Sequence, residues 1–180
     1  MTMEAEEQSD EILVQETLEG NQYAFERLVR RHQNAVFGLA MSMTRSHTDA
    51  ADMAQEAFVQ AYQKLDQFNP DYSFKTWLLK ICANRTKNLF RSRVRRRNME
   101  ERHYKEVEIQ STSGGNDPDT EELEHALNRL PKKLKIPLQL KYLEGLSYDE
   151  ISAVLKIGVS AAKMRVLRAK KQLAGYLKNE

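Results

Sequence analysis

"LSYDEISAVLKIGVSAAKMRVLRAKK", residues 146–171, changes character halfway along. It opens with two acids, Asp149 and Glu150, and no further acid occurs until Glu180, whereas seven Lys or Arg lie from Lys156 to Lys178 inclusive. Ser147-Tyr148-Asp149-Glu150 has the form of a capping box, with serine at the N-cap and glutamate three residues on. The helix it starts is expected to bury Ile151, Val154 and Leu155. Lys156-Ile157-Gly158 reads as a turn in which Gly158 takes positive φ. A second helix follows from Val159 or Ser160. Its apolar positions Val159, Ala162, Val166, Ala169 and Leu173 recur at alternating spacings of three and four, which puts them on one inward stripe. Ser160, Ala161, Lys163, Met164, Arg165, Leu167, Arg168, Lys170 and Lys171 then face outward. A basic face alone is as well explained by solvation in a helical bundle. Together with the capping box, the short turn and the alanines that permit close helix approach, it describes a helix-turn-helix. Its cations suit phosphates, and Lys163, Met164 and Arg165 fall within reach of base edges.

Working outward, the 180 residues hold one medium domain or two small ones, with 41% hydrophobic and 30% charged residues. Ala, Leu, Glu, Lys, Arg and Gln dominate, seven glycines and four prolines are few, and β-branched residues do not alternate, so the expected fold class is all-α. No apolar run approaches a membrane span, and "MTMEAEEQSDEI" lacks a basic-then-apolar leader pattern. The single cysteine, Cys82, excludes an internal disulfide, and a cytoplasmic location is expected. The net charge of +2 conceals segregation: residues 1–26 carry eight acids and no Lys or Arg, whereas 72–99 carry nine Lys or Arg and no acid. Binding responds to such local fields more than to their sum.

Helix punctuation divides the chain. Asp10 and Asn21 read as caps for helices ending at Gly20 and near Thr44, and Ser46 or Thr48 opens a third helix with an apolar stripe of Ala50, Met53, Ala54, Ala57, Phe58, Ala61, Tyr62 and Leu65. Asn69-Pro70-Asp71 is turn chemistry. Ser73 caps a long helix with Phe74, Trp77, Leu78, Ile81 and Cys82 on one face, running into the basic "RSRVRRR" of residues 91–97. Residues 98–119, rich in Ser, Thr, Gly, Asn and Asp, read as a flexible linker with a stretched limit of about 75 Å. Asp117-Pro118 restarts helix, Leu123, Leu127 and Leu130 give its apolar face, and a further helix follows Pro131 to Gly145. The expected organisation is a domain at 1–97, the linker, and a helix-turn-helix domain at 120–180.

The first domain carries two further polar faces. Lys80, Asn84, Lys87, Asn88, Arg91 and Arg95 alternate cations with amides along the long helix. Beside it, Phe68, Tyr72, Phe74 and Trp77 could stack on unpaired bases. Phe74 and Trp77 lie on the inward stripe and read as core; Tyr72, in the turn, is open to either role. On the third helix Asp49, Asp52, Gln55 and Glu56 share a polar face that is either merely solvated or a docking site for protein.

"DAADMAQEAFVQAYQKLDQF" (49–68) followed by "SFKTWLLKICANRTKNLFRSR" (73–93) resembles region two of bacterial sigma factors. "LPKKLKIPLQLKYLEGLSYDEISAVLKIGVSAAKMRVLRAKKQL" (130–173) resembles their region four. With these two regions and a linker, the chain is similar to the extracytoplasmic function (ECF) group. The resemblance implies a promoter-specificity subunit of RNA polymerase. The helix of Asp49, Asp52, Gln55 and Glu56 would dock on the clamp helices of the β′ subunit, with the β subunit as a further partner. Asn69, Asp71, Tyr72, Lys75, Lys80, Asn84, Lys87, Asn88 and Arg91 would bind the −10 element and its melted strand. Ser160, Ala161, Lys163, Met164, Arg165, Arg168 and Lys171 would read the −35 duplex. An anti-sigma factor is a further expected partner. Where many members have "GTVKSRLHRA", this chain has "SAAKMRVLRA", so Met164 and Leu167 replace polar residues and the family's base preference does not carry over.

Two other function classes compete. A helix-turn-helix repressor or activator would bind duplex DNA without touching polymerase. An enzyme finds no support: His32, His47, His103 and His125 are scattered, no glycine loop cradles phosphate, and no nucleophile has an evident base. No cofactor or metal is expected.

Overall fold

The structure, a computed structural model, describes residues 8–100 and 118–177. Within them lie α1 (Asp10–Leu18), α2 (Gln22–Thr44), α3 (His47–Gln63), a single 3-10 turn at Leu65–Gln67, α4 (Phe74–Glu100), α5 (Pro118–Arg129), α6 (Lys132–Tyr142), α7 (Tyr148–Leu155) and α8 (Val159–Tyr176). Among the described residues there is no strand, as the composition requires. Of the expected linker, 101–117 lies outside the described residues; 98–100 extend α4, and 118 and 119 begin α5.

Side-chain caps set most of the helix starts. Asn21 accepts from the Tyr23 amide at the head of α2, Ser46 from the Asp49 amide at α3, and Ser73 from the Thr76 amide at α4. At α1 the cap is Ser9 and not Asp10. Asp10 turns instead to α2, where its carboxylate accepts from Arg31 at 2.6 Å and meets the His32 ring at 2.7 Å. Burial pushes that carboxyl up, but the bonds from His32 and Arg31 outweigh it and leave the pKa below its ordinary value.

Helices α1 to α4 form a bundle around Leu13, Leu28, Val36, Phe74, Leu78, Leu79 and Cys82, all at most 1% exposed. Phe68, Phe74 and Trp77 form one aromatic cluster, with ring centroids 5.4 to 5.8 Å apart. Phe74 is buried and Trp77 half-buried against the core, whereas Tyr72 is 64% exposed. On α3 the buried stripe is narrower than expected. Alanines 50, 54, 57 and 61 and Met53 are inside, while Phe58 is half-buried and Tyr62 is exposed with its ring edge-on to Phe25. Cys82 accepts no solvent; burial pushes its thiol up to about 12.

Helices α5 to α8 share a smaller core of Leu130, Leu138, Val166 and Ala169. This unit does not stand apart from the first. Leu140, Leu146, Ile151, Val154 and Ala162 join the core of the α1–α4 bundle, with α6 against α2 and α7 against α4. Polar ties line the seam. Ser42 donates to Gln139 at 2.5 Å, Lys132 to the Met43 carbonyl at 2.7 Å, and Lys75 reaches the Glu144 carboxylate at 2.7 Å. Glu150 performs two tasks. Its carboxylate accepts from the Ser147 amide at 2.8 Å, completing the capping box of α7, and from the Thr76 hydroxyl at 2.7 Å on α4. Burial raises the Glu150 carboxyl, but the bonds from Thr76, Ser147 and Ser73 more than compensate and hold it below its ordinary value.

Two outcomes follow for stability. Phe74→Ala should destabilise the fold by about 3–5 kcal/mol in urea denaturation, whereas Tyr72→Ala should stay within about 0.5 kcal/mol. Because the folded-state pKa of Glu150 is depressed, its contribution is complete above the ordinary glutamate value of 4.5 and is lost as pH falls through the lower folded value. The urea midpoint of Glu150→Gln should therefore drop less than that of the wild type on acidification below about pH 4.5.

Candidate nucleic-acid and protein interfaces

The turn between α7 and α8 is built differently from the sequence expectation. Gly158 has φ −65° and serves as the N-cap of α8, while Lys156 takes the left-handed conformation at φ 55°. The turn closes through Ile157, whose amide donates to the Ser152 carbonyl and whose carbonyl accepts from the Ser152 hydroxyl at 2.6 Å. These bonds and the Ile157 side chain packed on the core fix the conformation without a glycine at the αL position. The second helix then presents what the spacing predicted. Ala162, Val166 and Ala169 are buried; Ser160, Lys163, Met164, Leu167, Arg168, Lys170 and Lys171 are exposed, and Ala161 and Arg165 are half-exposed. Lys163 lies 5.8 Å from the Tyr148 ring and Lys170 lies 5.3 Å from that of Tyr142, so both cations run along one flank of the helix.

On α4 the cations and amides divide between solvent and the seam. Asn84, Lys87, Asn88 and Arg91 line a cleft of about 320 Å³ whose far wall is Leu155 and Lys156 of α7 and its turn. Lys87 donates to the Leu155 carbonyl at 2.7 Å; burial, with Lys156 and Arg91 nearby, lowers its pKa. Lys75 is likewise engaged, by Glu144. Lys80 is exposed on the same helix, and at its head the Asn69 side chain accepts from the Asp71 amide at 2.9 Å. That bond shapes a tight turn which leaves the Tyr72 ring in solvent. The structure thus gathers the nine predicted downstream residues along α4 and its leading turn, but two of their lysines hold the second unit. Lys156, beside them in space, was beyond sequence reasoning because only the tertiary packing brings it there.

The acidic face of α3 is less free of cations than the local sequence suggests. Arg93 of α4 grips Asp49 with two bonds of 2.6 and 2.7 Å, and Arg85 lies 3.8 Å from Glu56. The Arg93 bonds lower the Asp49 pKa. Asp52, Gln55 and Glu56 remain exposed, and with Asp49, Arg85 and Arg93 they line a groove of about 570 Å³. Sharing Gln55 and Val59 with it is a second, apolar groove of about 660 Å³ between α2 and α3, lined by Phe25, Phe37, Phe58 and Tyr62. Sequence reasoning missed this groove. Its only signal was the pair of aromatics Phe58 and Tyr62 on a helix otherwise packed with alanine. Among the described residues no group of His, Cys, Asp or Glu could hold a metal, and no helix is long and apolar enough to cross a membrane.

The faces fall within two matched segments. Residues 28–96 match the Sigma-70 region 2 family, and 120–173 match Sigma-70, region 4. The chain is 34% identical to the ECF RNA polymerase sigma-E factor of Escherichia coli K12 over 181 residues, covering 94% of each chain. It is 33% identical to that of Haemophilus influenzae over 183 residues, covering 94% of this chain and 95% of the other. Among solved structures it resembles the sigma factor RpoE in complex with the anti-sigma factor NepR from Bartonella quintana. That match has a TM-score of 0.70 at 25% identity and covers 86% of this chain and 96% of the other. It also resembles CnrH in complex with the cytosolic domain of CnrY, with a TM-score of 0.67 at 31% identity, covering 96% and 99%.

Proposed function

Because the chain belongs to the ECF group of RNA polymerase sigma factors, which are transcription initiation factors, we propose the following division of its surfaces. Asp52, Gln55 and Glu56 dock on the β′ clamp helices of core polymerase, and Asp49, held by Arg93, orients that face. The turn of Asn69, Asp71 and Tyr72 and the α4 face from Lys75 to Arg91 bind the −10 element and its unpaired strand. The outer face of α8 binds the −35 duplex. The protein works in the cytoplasm and has no catalytic activity of its own. What carries the reading is the charge segregation inside both matched segments: an acidic helix beside a basic one in the first, and a helix-turn-helix whose second helix is basic and acid-free in the second.

Strand separation on this reading needs no chemistry. A surface that binds bases only when they are unpaired shifts the duplex equilibrium toward the open state by its differential affinity. An exposed ring such as Tyr72 stacking on one extruded base contributes about 1–3 kcal/mol. Lys75 and Lys87 are tied to the second unit here, so DNA on α4 and the closed packing of α6–α8 compete for the same groups. A partner that favours the closed packing would silence the protein. RpoE was solved in complex with the anti-sigma factor NepR and CnrH with the cytosolic domain of CnrY, and we extend control by an anti-sigma factor to this chain.

Run-off transcription with core polymerase tests the whole reading: added protein should produce transcripts from a promoter selected by the holoenzyme, and none from core alone. The double change Asp52→Ala plus Glu56→Ala should abolish co-elution with core polymerase while shifting the urea midpoint by no more than about 0.5 kcal/mol equivalent, since both side chains are exposed. Undiminished co-elution, with promoter duplex bound by the protein alone, would favour a repressor instead.

A further inference from the structure

The outer face of α8 carries two large apolar side chains that the fold does not need. Met164 is 47% exposed and Leu167 is 61% exposed, on a helix whose inward stripe is already complete with Ala162, Val166 and Ala169. At 3.6 residues per turn, Met164 lies almost diametrically opposite that stripe, and Leu167 is its neighbour one turn on. Cations flank this ridge on both sides, and Lys171 continues it one turn beyond Leu167. Lys163 and Lys170, laid along the Tyr148 and Tyr142 rings, form one rail; Arg168 and Arg165 form the other. An apolar ridge between two cationic rails matches the cross-section of a major groove, where phosphates border base edges on either side.

We infer that Met164 and Leu167 read thymine in the upstream duplex through its 5-methyl group. The inference rests on the proposal that α8 is the duplex-binding helix. The chemistry narrows the choice to one group. Every other functional group on the major-groove edge is a hydrogen-bond donor or acceptor, and the thymine methyl is the only apolar one. A methionine or leucine pressed against a guanine or cytosine edge strips water from a polar atom and returns no bond, which disfavours those pairs at the contacted positions. Against a thymine methyl the same side chain buries carbon on carbon. Methionine's unbranched, polarizable chain adapts to the exact position of that methyl. The cations hold the helix in the groove without regard to sequence, so the two apolar residues set the preference while Lys163, Arg165 and Arg168 set the strength.

The test uses the holoenzyme and random duplexes placed upstream of a fixed, pre-melted −10 region. After selection, each thymine of the enriched element, on either strand, is replaced by deoxyuridine, which removes the methyl alone. At one or two positions uracil should weaken binding about four-fold, the worth of one buried carbon. Met164→Ala or Leu167→Ala should bind the thymine and uracil forms of its position equally, and as tightly as the wild type binds the uracil form. Uniform indifference to uracil, with the upstream element still enriched, overturns the methyl contact and leaves the proposed function standing. Thymine–uracil discrimination that survives in both variants overturns it too, as does loss of polymerase binding in either variant, which would make the ridge a protein contact. No upstream enrichment at all would remove the reading of α8 and this inference together.

Discussion

One carboxylate joins the two halves of this molecule. Glu150 closes the capping box that starts the helix-turn-helix, and the same group accepts the Thr76 hydroxyl from the helix that carries the downstream basic face. A carboxylate drawn partly out of water is costly unless its lone pairs are satisfied. Here they are met by an amide of its own helix start on one side and by the Thr76 hydroxyl of the other unit on the other. Around it Leu146, Ile151 and Val154 complete an apolar seam that neither unit could cover alone. Ser42 on Gln139, Lys132 on the Met43 carbonyl and Lys87 on the Leu155 carbonyl add polar ties along the same seam.

The seam also explains how a chain of near-neutral net charge holds such uneven charge locally. The acid-free stretch of α4, residues 74–99, is compensated by neighbours in space: Asp49 and Glu56 from α3 meet Arg93 and Arg85, and Glu144 from the loop after α6 meets Lys75. The cations left facing solvent, Lys80 and Arg91 on α4 with Arg168 and Lys171 on α8, form the residual field that a polyanion would meet. The compensation is uneven: within the surface assigned to DNA, Lys75 and Lys87 are engaged, while Lys80, Arg91 and the outer face of α8 stay open.

Local signals in the sequence were sufficient for most of the helices. A cap is a bond between near neighbours, so Ser73, Ser147 and Asn21 could be read directly, and the choice of Ser46 or Thr48 is settled for Ser46 by its bond from the Asp49 amide. The alternating stripe of α8 was equally plain because it lies within one helix. Most of the misreadings involve tertiary partners. Ser9 and Asp10 both have cap chemistry, and only the distant Arg31 and His32 decide that Asp10 is otherwise engaged. Gly158 was the natural candidate for positive φ, yet the bonds of Ile157 to Ser152 place Lys156 there instead. The faces of α3 and α4 were legible as faces, but not as paired ones, since Asp49 and Arg93 are 44 residues apart. Contact between the two units was illegible for the same reason.

Cys82 has a consequence of a different kind. Its sulfur sits wholly inside the bundle beneath α4, and at a pKa of about 12 only about one molecule in 10⁵ carries a thiolate at neutral pH. Peroxides, nitrosating agents and disulfides all react with the thiolate. Cys82 is therefore closed to oxidants while the chain is folded, and exposed thioethers such as that of Met164 are the sulfur they meet first.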